Sequence, residues 1–176
     1  EVRCFPLVRN VHRGGILCET TAPAGVGDGH ERSARERAER VLHALDHVGV
    51  LTIEWFLRGD ELIGNEIAPR VHNSGHWSID GAFSSQFEQH VRAVMDMPLG
   101  RSEVRTPSVM FNMVGGRPPR DALLEIGAAR VHDYAKEARP GRKIGHVTCL
   151  RVDGAAKAPV DRVRGLVDAA WRGNEP

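Results

Sequence analysis

The chain has 176 residues, of which 41% are hydrophobic and 27% charged, as in a globular protein with one domain or one domain and a small second one. Its 24 basic and 23 acidic residues leave a net charge of +1, which argues against a nucleic-acid or membrane-surface partner because both favour a clustered positive excess. No apolar stretch approaches the roughly 20 residues of a membrane span, we expect no signal peptide, and three unpatterned cysteines favour the reducing cytoplasm over a disulfide scaffold.

The first elements predicted along the chain are two strands and a helix. Apolar segments 2–8 and 15–22 predict two strands, joined by the polar run 9–14. Over residues 30–47, alanine, valine and leucine recur every three or four positions, which predicts an amphipathic helix that ends before Gly49.

A β-hairpin is predicted next. Segments 50–57 and 62–68 are rich in β-branched and aromatic residues and lie on either side of a turn sequence. If the loop has an odd number of residues centred on Asp60, Glu54 lies directly opposite Glu66, and both side chains project from one face.

Two paired carboxylates indicate a cation, because like charges directly opposite each other are unfavourable on a strand pair. The oxygen ligands of Glu54 and Glu66, with the nearby amide of Asn65, would suit magnesium. The alternative is that one glutamate points outward and is solvated.

A polar loop follows the second strand of the hairpin, and binding groups concentrate in such loops. Arg70 could clamp a carboxylate or phosphate. His72, Asn73 and Ser74 would supply a titratable group and neutral donors for a developing anion. The alternative is a polar loop that only caps the next helix. We interpret His76 as structural rather than catalytic.

The rest of the chain is predicted to contain three helices and three strands. The first helix starts after Ser84 or Ser85, ends near residue 97 and is expected to bury four apolar side chains: Phe87, Val91, Val94 and Met95. The later elements are strands 104–114, 128–134 and 144–152 and helices 121–126 and 160–171.

A basic loop is predicted between the last two strands. It carries four positive charges around a Pro-Gly turn: Lys136, Arg139, Arg142 and Lys143. Converging cations at such a turn would suit a phosphate monoester, and the alternative is a solvated loop.

At these motifs the sequence resembles a known family. The run Asn65–His76 (NEIAPRVHNSGH), with Glu54–Phe56 (EWF) and residues 85–94 (SQFEQHVRAV), is similar to the 5-carboxyaminoimidazole ribonucleotide synthases, ATP-grasp carboxylases of purine biosynthesis that do not use biotin. The FPLV and NVH sequences near the start and GRKIGH at residues 141–146 also match, so the resemblance covers nearly the whole chain in order.

The resemblance implies an α+β fold. Residues 1–99 would be the C-terminal part of an ATP-grasp domain, an antiparallel sheet with flanking helices, and residues 100–176 the family's small C-terminal domain. It also implies a ligase that uses ATP to phosphorylate bicarbonate and then transfers the carboxyl group to aminoimidazole ribonucleotide, releasing ADP and phosphate. The family suggests a homodimer.

The family's functional residues carry over to positions in this chain. Those implied for magnesium are Glu54 and Glu66. Those implied for ATP are His12, Asn65 and Glu66. Those implied for catalysis at bicarbonate and carboxyphosphate are Arg70, His72, Asn73 and Ser74. Those implied for the ribonucleotide phosphate are Lys136 and Arg142.

The chain departs from the family in length. We expect the family's N-terminal domain and the lid over the ATP phosphates to be missing from it, so the chain alone should be inactive. Two other functions stay open. One is a formate-dependent glycinamide ribonucleotide transformylase, whose N-E-x-x-P-R-x-H-x-S-G pattern is similar. The other is a non-catalytic remnant with a structural or interaction role.

Overall fold

A computed structural model of the chain describes residues 1–151 and 157–172. The described residues form strands and helices in the mixed order expected of the α+β class, which is confirmed. The strands are β1 (Arg9–Arg13), β2 (Ile16–Ala22), β3 (Thr52–Arg58), β4 (Glu61–Ala68), β5 (Ser108–Val114), β6 (Ala129–Asp133) and β7 (Lys143–Leu150). The helices are α1 (Asp28–Ala44), α2 (Ser78–Gly81), α3 (Gln86–Val94), α4 (Arg120–Leu124) and α5 (Lys157–Arg172).

The chain divides into two compact units that are interleaved in sequence. One unit consists of Glu1–Leu7 and Pro23–Arg105, and the other of Val8–Ala22 and Thr106–Pro176. The second unit therefore takes its strands β1 and β2 from the start of the chain. The predicted domains 1–99 and 100–176 stay a prediction.

The second unit is built on a five-stranded antiparallel sheet in the order β1-β2-β5-β7-β6. All seven residues of β5 are buried, as expected of a strand in the interior of a sheet. Helix α5 packs on the sheet through Val160, Val163 and Val167, which share one helix face at steps of three and four. Two bidentate pairs, Arg164 with Glu19 and Arg13 with Asp168, also join α5 to the β1–β2 hairpin.

The first predicted strand is wrong in its position. The structure has no strand in segment 2–8 and places β1 in the polar run Arg9–Arg13, which was predicted as a loop. β1 is an edge strand with mostly exposed side chains, and an edge strand tolerates charged residues. The apolar segment is held instead by single contacts, such as the Leu7 N–H that donates to the Glu31 carboxylate at 3.1 Å.

The first unit contains the β3–β4 hairpin, which forms a sheet of its own, and helices α1 to α3. Helix α1 confirms the predicted amphipathic helix, although it ends at Ala44. It contacts the hairpin through Arg37, whose guanidinium donates to the Leu62 carbonyl at 2.6 Å and lies 5.8 Å from the Trp55 ring.

Helix α3 has the predicted start but the opposite buried face. Ser85 caps it by accepting the Glu88 N–H at 3.1 Å. The four apolar residues predicted as buried are 38–67% exposed: Phe87, Val91, Val94 and Met95. The helix instead buries Gln86 and Gln89, because their side-chain amides bond to backbone groups of neighbouring loops. The prediction from periodicity alone that the apolar face of α3 is buried is therefore wrong.

The later elements follow the prediction, with shifted ends. The predicted strand 104–114 begins only at Ser108, and Val152 at the end of another predicted strand lies outside the described residues. Among the helices that the structure describes, none combines the length and apolar character needed to cross a membrane.

Candidate active site

Glu54 on β3 and Glu66 on β4 are direct partners across the hairpin, as predicted. The predicted odd-numbered loop is wrong, because Arg58 pairs with Glu61 across a loop of two residues. The extra residue is a β-bulge at Asn65, which shifts the register by one and brings Glu66 opposite Glu54. Partners of this kind project from the same face of a strand pair.

The two carboxylates differ in exposure. The Glu54 side chain is 17% exposed, whereas Glu66 and the neighbouring Asn65 are open to solvent. Two carboxylates on one face with an amide oxygen beside them are a donor set of hard oxygens, which fits a magnesium ion shared with substrate phosphates.

The loop after β4 brings His72 to this carboxylate pair. The His72 Nε2 atom lies 3.9 Å from Glu54 Oε1, and both side chains are more than four-fifths buried. On its other side, His72 Nδ1 accepts the Ser74 backbone N–H and lies 2.8 Å from Ser74 Oγ. Because Nδ1 is an acceptor, the neutral ring carries its proton on Nε2, on the side of Glu54.

The other residues predicted in this loop have local contacts. Arg70 is exposed, and its guanidinium donates to the Val71 carbonyl at 3.0 Å. Asn73 begins the 3₁₀ turn Asn73–Gly75, and its carbonyl accepts the His76 N–H at 3.1 Å. Ser74 is buried inside the turn.

Gln86, at the start of α3, was missed by the sequence analysis as a partner of this loop. Its amide bonds to both backbone groups of His72, at 2.9 and 2.7 Å, and lies 2.7 Å from His76 Nδ1. The interpretation of His76 as structural agrees with this contact. The sequence places Gln86 and Gln89 three positions apart on one face of the predicted helix, but it does not show which backbone groups they contact.

Three predicted residues lie in the second unit. His12 is exposed on β1, where it pairs with Leu17 next to a bulge. Lys136 and Arg142 are exposed in the loop between β6 and β7. The Arg142 N–H donates to the Arg139 carbonyl at 3.0 Å and closes a turn in which Gly141 has a φ of 72°, a conformation suited to glycine.

The cations of the basic loop differ in their surroundings. Arg139 donates to the Glu137 carboxylate at 2.6 Å, so its charge is partly balanced. The Lys136 ammonium lies 5.3 Å from the centre of the Tyr134 ring. The pairing of Arg139 with Glu137 was not predicted from the sequence.

Arg117 holds the base of the basic loop. Its guanidinium donates two hydrogen bonds to the Asp133 carboxylate, at 2.7 and 3.2 Å, and one to the Lys136 carbonyl at 2.6 Å. The two hydrogen bonds from Arg117 to the Asp133 carboxylate lower the pKa of Asp133 because they stabilise its ionised form. Arg117 therefore fixes the backbone that carries Lys136.

Tyr134 directly follows β6, which ends at Asp133, and its side chain points inward. Its hydroxyl lies 2.7 Å from Nδ1 of His146, which is fully buried. Burial disfavours the phenolate and raises the pKa of Tyr134 to about 12.

Comparison with known proteins decides the family. The sequence model of the ATP-grasp domain matches residues 1–87, and that of the phosphoribosylaminoimidazole carboxylase C-terminal domain matches residues 108–158. The N5-carboxyaminoimidazole ribonucleotide synthase of Brucella melitensis is 48% identical over 154 residues, which are 86% of this chain and 42% of that protein. The crystal structure of the corresponding synthetase from Thermus thermophilus superposes with a TM-score of 0.92 at 48% identity, covering 94% of this chain and 47% of that one.

The chain belongs to the N5-carboxyaminoimidazole ribonucleotide synthase family. The predicted resemblance and the ATP-grasp fold are thereby confirmed. A further family structure, from Aspergillus clavatus in complex with ADP and 5-aminoimidazole ribonucleotide, has a TM-score of 0.86 at 37% identity and covers 94% of this chain and 47% of that one. The chain spans about half the length of the family members that it matches.

The two family matches divide the predicted residues between them. The ATP-grasp match contains His12, the hairpin glutamates and the loop that follows them, and the carboxylase C-terminal match contains Lys136 and Arg142. The roles of these residues in the synthase family reaction stay predictions for this chain.

Proposed function

We propose that this chain is part of an ATP-dependent ligase that carboxylates 5-aminoimidazole ribonucleotide with bicarbonate in purine biosynthesis. The observation that carries the proposal is the Glu54–Glu66 pair with the His72 imidazole beside it, inside the ATP-grasp match. The Aspergillus clavatus relative, crystallised with ADP and 5-aminoimidazole ribonucleotide, supports the choice of substrates.

The proposed reaction has two transfers. A bicarbonate oxygen attacks the γ-phosphorus of ATP, the bond from that phosphorus to the β–γ bridging oxygen breaks, and ADP leaves. The exocyclic amine of the ribonucleotide then attacks the carboxyl carbon of carboxyphosphate. The carbon–oxygen bond to phosphate breaks, the amine nitrogen loses a proton, and the carboxylated ribonucleotide and phosphate are released. Such phosphoryl transfer depends mainly on positioning and charge neutralisation.

Glu54 and Glu66 would hold magnesium, and Asn65 and His12 would contact the nucleotide. The bound ion would neutralise charge on the ATP phosphates. The support for this assignment is the pairing of the two carboxylates on one face beside an exposed amide.

The loop after β4 would bind bicarbonate and carboxyphosphate. Arg70 supplies a fixed positive charge on an exposed guanidinium, and Asn73 and Ser74 supply neutral donors. His72, whose ring proton is on Nε2 when neutral, would donate a hydrogen bond to the bound anion. Together these groups suit an intermediate that carries negative charge on both its carboxyl and phosphoryl ends.

Lys136 and Arg142 would bind the phosphate of the ribonucleotide. Both are exposed on one glycine-containing loop, and Arg139 is less suited because Glu137 already binds it. We further propose a homodimer, as the family resemblance suggests, and a cytoplasmic location, which the free thiols of Cys4, Cys18 and Cys149 support.

The test is ADP release by the full-length gene product with ATP, magnesium and bicarbonate, with and without aminoimidazole ribonucleotide. Release that requires the ribonucleotide, with carboxylated product formed, is the expected result. Release that requires formate and glycinamide ribonucleotide instead would assign the protein to the transformylase reaction. No release under either condition would favour the non-catalytic remnant, and residues 1–176 alone are expected to be inactive.

A further inference from the structure

Gln86 is a polar side chain in a buried place. It is the first residue of α3 and only 2% exposed, and a buried amide is costly unless its donors and acceptor are bonded. The Gln86 Oε1 atom accepts the His72 N–H at 2.9 Å, and Nε2 donates to the His72 carbonyl at 2.7 Å. The Nε2 atom of Gln86 also lies 2.7 Å from His76 Nδ1, and this contact uses the second N–H of the Gln86 amide. The amide is thus fully engaged by one loop.

The surroundings of this amide leave it little freedom. The Gln86 N–H donates to Ser78 Oγ at 2.9 Å, and that hydroxyl donates to the Gly75 carbonyl at 2.6 Å. A Cβ atom on Gly75 would lie 2.5 Å from Gln86 Oε1, closer than two such atoms approach. The loop backbone therefore packs directly against the amide, and a side chain at position 75 would have to displace it.

We propose that Gln86 is a positioning residue for the reaction at bicarbonate, an inference that rests on the proposed function. The two hydrogen bonds hold the backbone of His72, whose imidazole Nε2 lies 3.9 Å from Glu54 Oε1. His72 cannot move relative to α3 without breaking both bonds. Gln86 acts through the loop, by holding His72 where it can donate to the carboxyphosphate.

Helix α3 carries a matched control for this proposal. Gln89, one turn further on, is 6% exposed, and its amide also bonds to both backbone groups of a single residue, Gly100, at 2.7 and 2.9 Å. Gly100 is not among the predicted site residues. The two glutamines therefore share residue type, helix, burial and a pair of bonds to one backbone residue. They differ in the loop that they hold and in the additional contact of Gln86 with His76.

The experiment compares Gln86→Glu with Gln89→Glu in the full-length enzyme. Glutamate keeps the size of glutamine, but when ionised it places a carboxylate oxygen against a backbone carbonyl in place of the N–H donor, so both variants should lower the Tm. The decisive readout is the ADP released per carboxylated ribonucleotide, because the amount of folded enzyme cancels in this ratio. We expect a several-fold rise for Gln86→Glu, and a fall in carboxylation kcat of about 10- to 100-fold, as for reactive groups displaced by about 1 Å. Gln89→Glu should leave the ratio unchanged.

The reason for the rise is loss of the intermediate to water. In a loosened site, water attacks carboxyphosphate and gives bicarbonate and phosphate, so ATP is consumed without a carboxylated product. Gly75→Ala is a second variant for use if Gln86→Glu fails to fold. The three atoms nearest to its methyl group all belong to the Gln86 amide, so the substitution should displace that amide and raise the same ratio.

Three results would count against these proposals in distinguishable ways. An unchanged ratio in both Gln86→Glu and Gly75→Ala overturns the positioning role of Gln86 alone, and so does an equal rise in Gln89→Glu. If the unmodified enzyme does not carboxylate the ribonucleotide at all, the proposed function fails, and the inference built on it falls too.

Discussion

Glu54 and Glu66 face each other only because β4 contains one residue more than β3 requires. Without the bulge at Asn65, the regular register that begins at Arg58 and Glu61 would place Asn65 opposite Glu54. Glu66 would then project from the other face, since successive strand residues alternate. A single inserted residue therefore creates the carboxylate pair.

The first prediction concerns this pair. Glu66→Ala removes one of the two carboxylates proposed to hold magnesium and should abolish magnesium-dependent ADP release by the full-length enzyme. The matched control is Glu61→Ala on the same strand, since Glu61 is exposed and pairs with Arg58 at 3.1 Å. Titration of ADP release with magnesium checks both variants. Unchanged turnover in Glu66→Ala would exclude the proposed metal role.

The second prediction concerns the basic loop. Arg142→Ala should raise the KM for aminoimidazole ribonucleotide by about 10-fold or more, the cost of a charge-assisted contact, and change the KM for ATP little. Arg139→Ala is the control, because Glu137 already binds that guanidinium. Steady-state kinetics with each substrate varied in turn makes the comparison. Equal effects of Arg142→Ala on both KM values would contradict a phosphate-binding role.

The third prediction is a titration. Tyr134 has a pKa of about 12 in the folded protein, above the value of about 10 for an unfolded chain. Because the folded pKa is raised, its contribution to stability is complete below pH ~10 and is lost as the pH rises from ~10 to ~12. Tyrosinate absorbance, measured as the difference between the unmodified protein and Tyr134→Phe, gives the midpoint. A midpoint that is already near 10 in the folded protein would contradict the burial of this hydroxyl.

The fourth prediction uses two adjacent leucines of α4. Leu123 is 1% exposed and belongs to the core of the second unit, whereas Leu124 is 55% exposed. Leu123→Ala should lower the free energy of unfolding by about 2–5 kcal/mol through lost burial and a cavity. Leu124→Ala should change it by less than about 0.5 kcal/mol. Denaturant unfolding of both variants tests this, and similar losses would mean that the helix faces the other way.

Sequence reasoning found the elements whose signals are local. Helix α1 and the β3–β4 hairpin follow from periodicity and turn residues, and both are present. It failed where tertiary contacts override the local pattern. The polar residues of β1 form a strand because they pair with β2. Helix α3 buries Gln86 and Gln89 because their amides bond to backbone groups of two loops.

The candidate site could be predicted only in part, because some of its features also depend on tertiary contacts. The pairing of Glu54 with Glu66 was predicted, but from an odd-numbered loop that the structure does not have. A bulge depends on the fit of both strands and has no clear signature in one of them. The Gln86 contacts join positions 14 residues apart through backbone groups, and backbone partners leave no trace in side-chain identity.

The interleaving of the two units also limits how this protein can be divided. Strand β5 lies between β2 and β7, and every one of its residues is buried. A gene segment cut at the boundary before residue 106 would encode β5 without β2 and would leave its backbone edge open to pairing with other chains. Neither recombination nor expression cloning can therefore transfer the second unit as one continuous piece. It must be inherited together with the sequence that encodes the first unit.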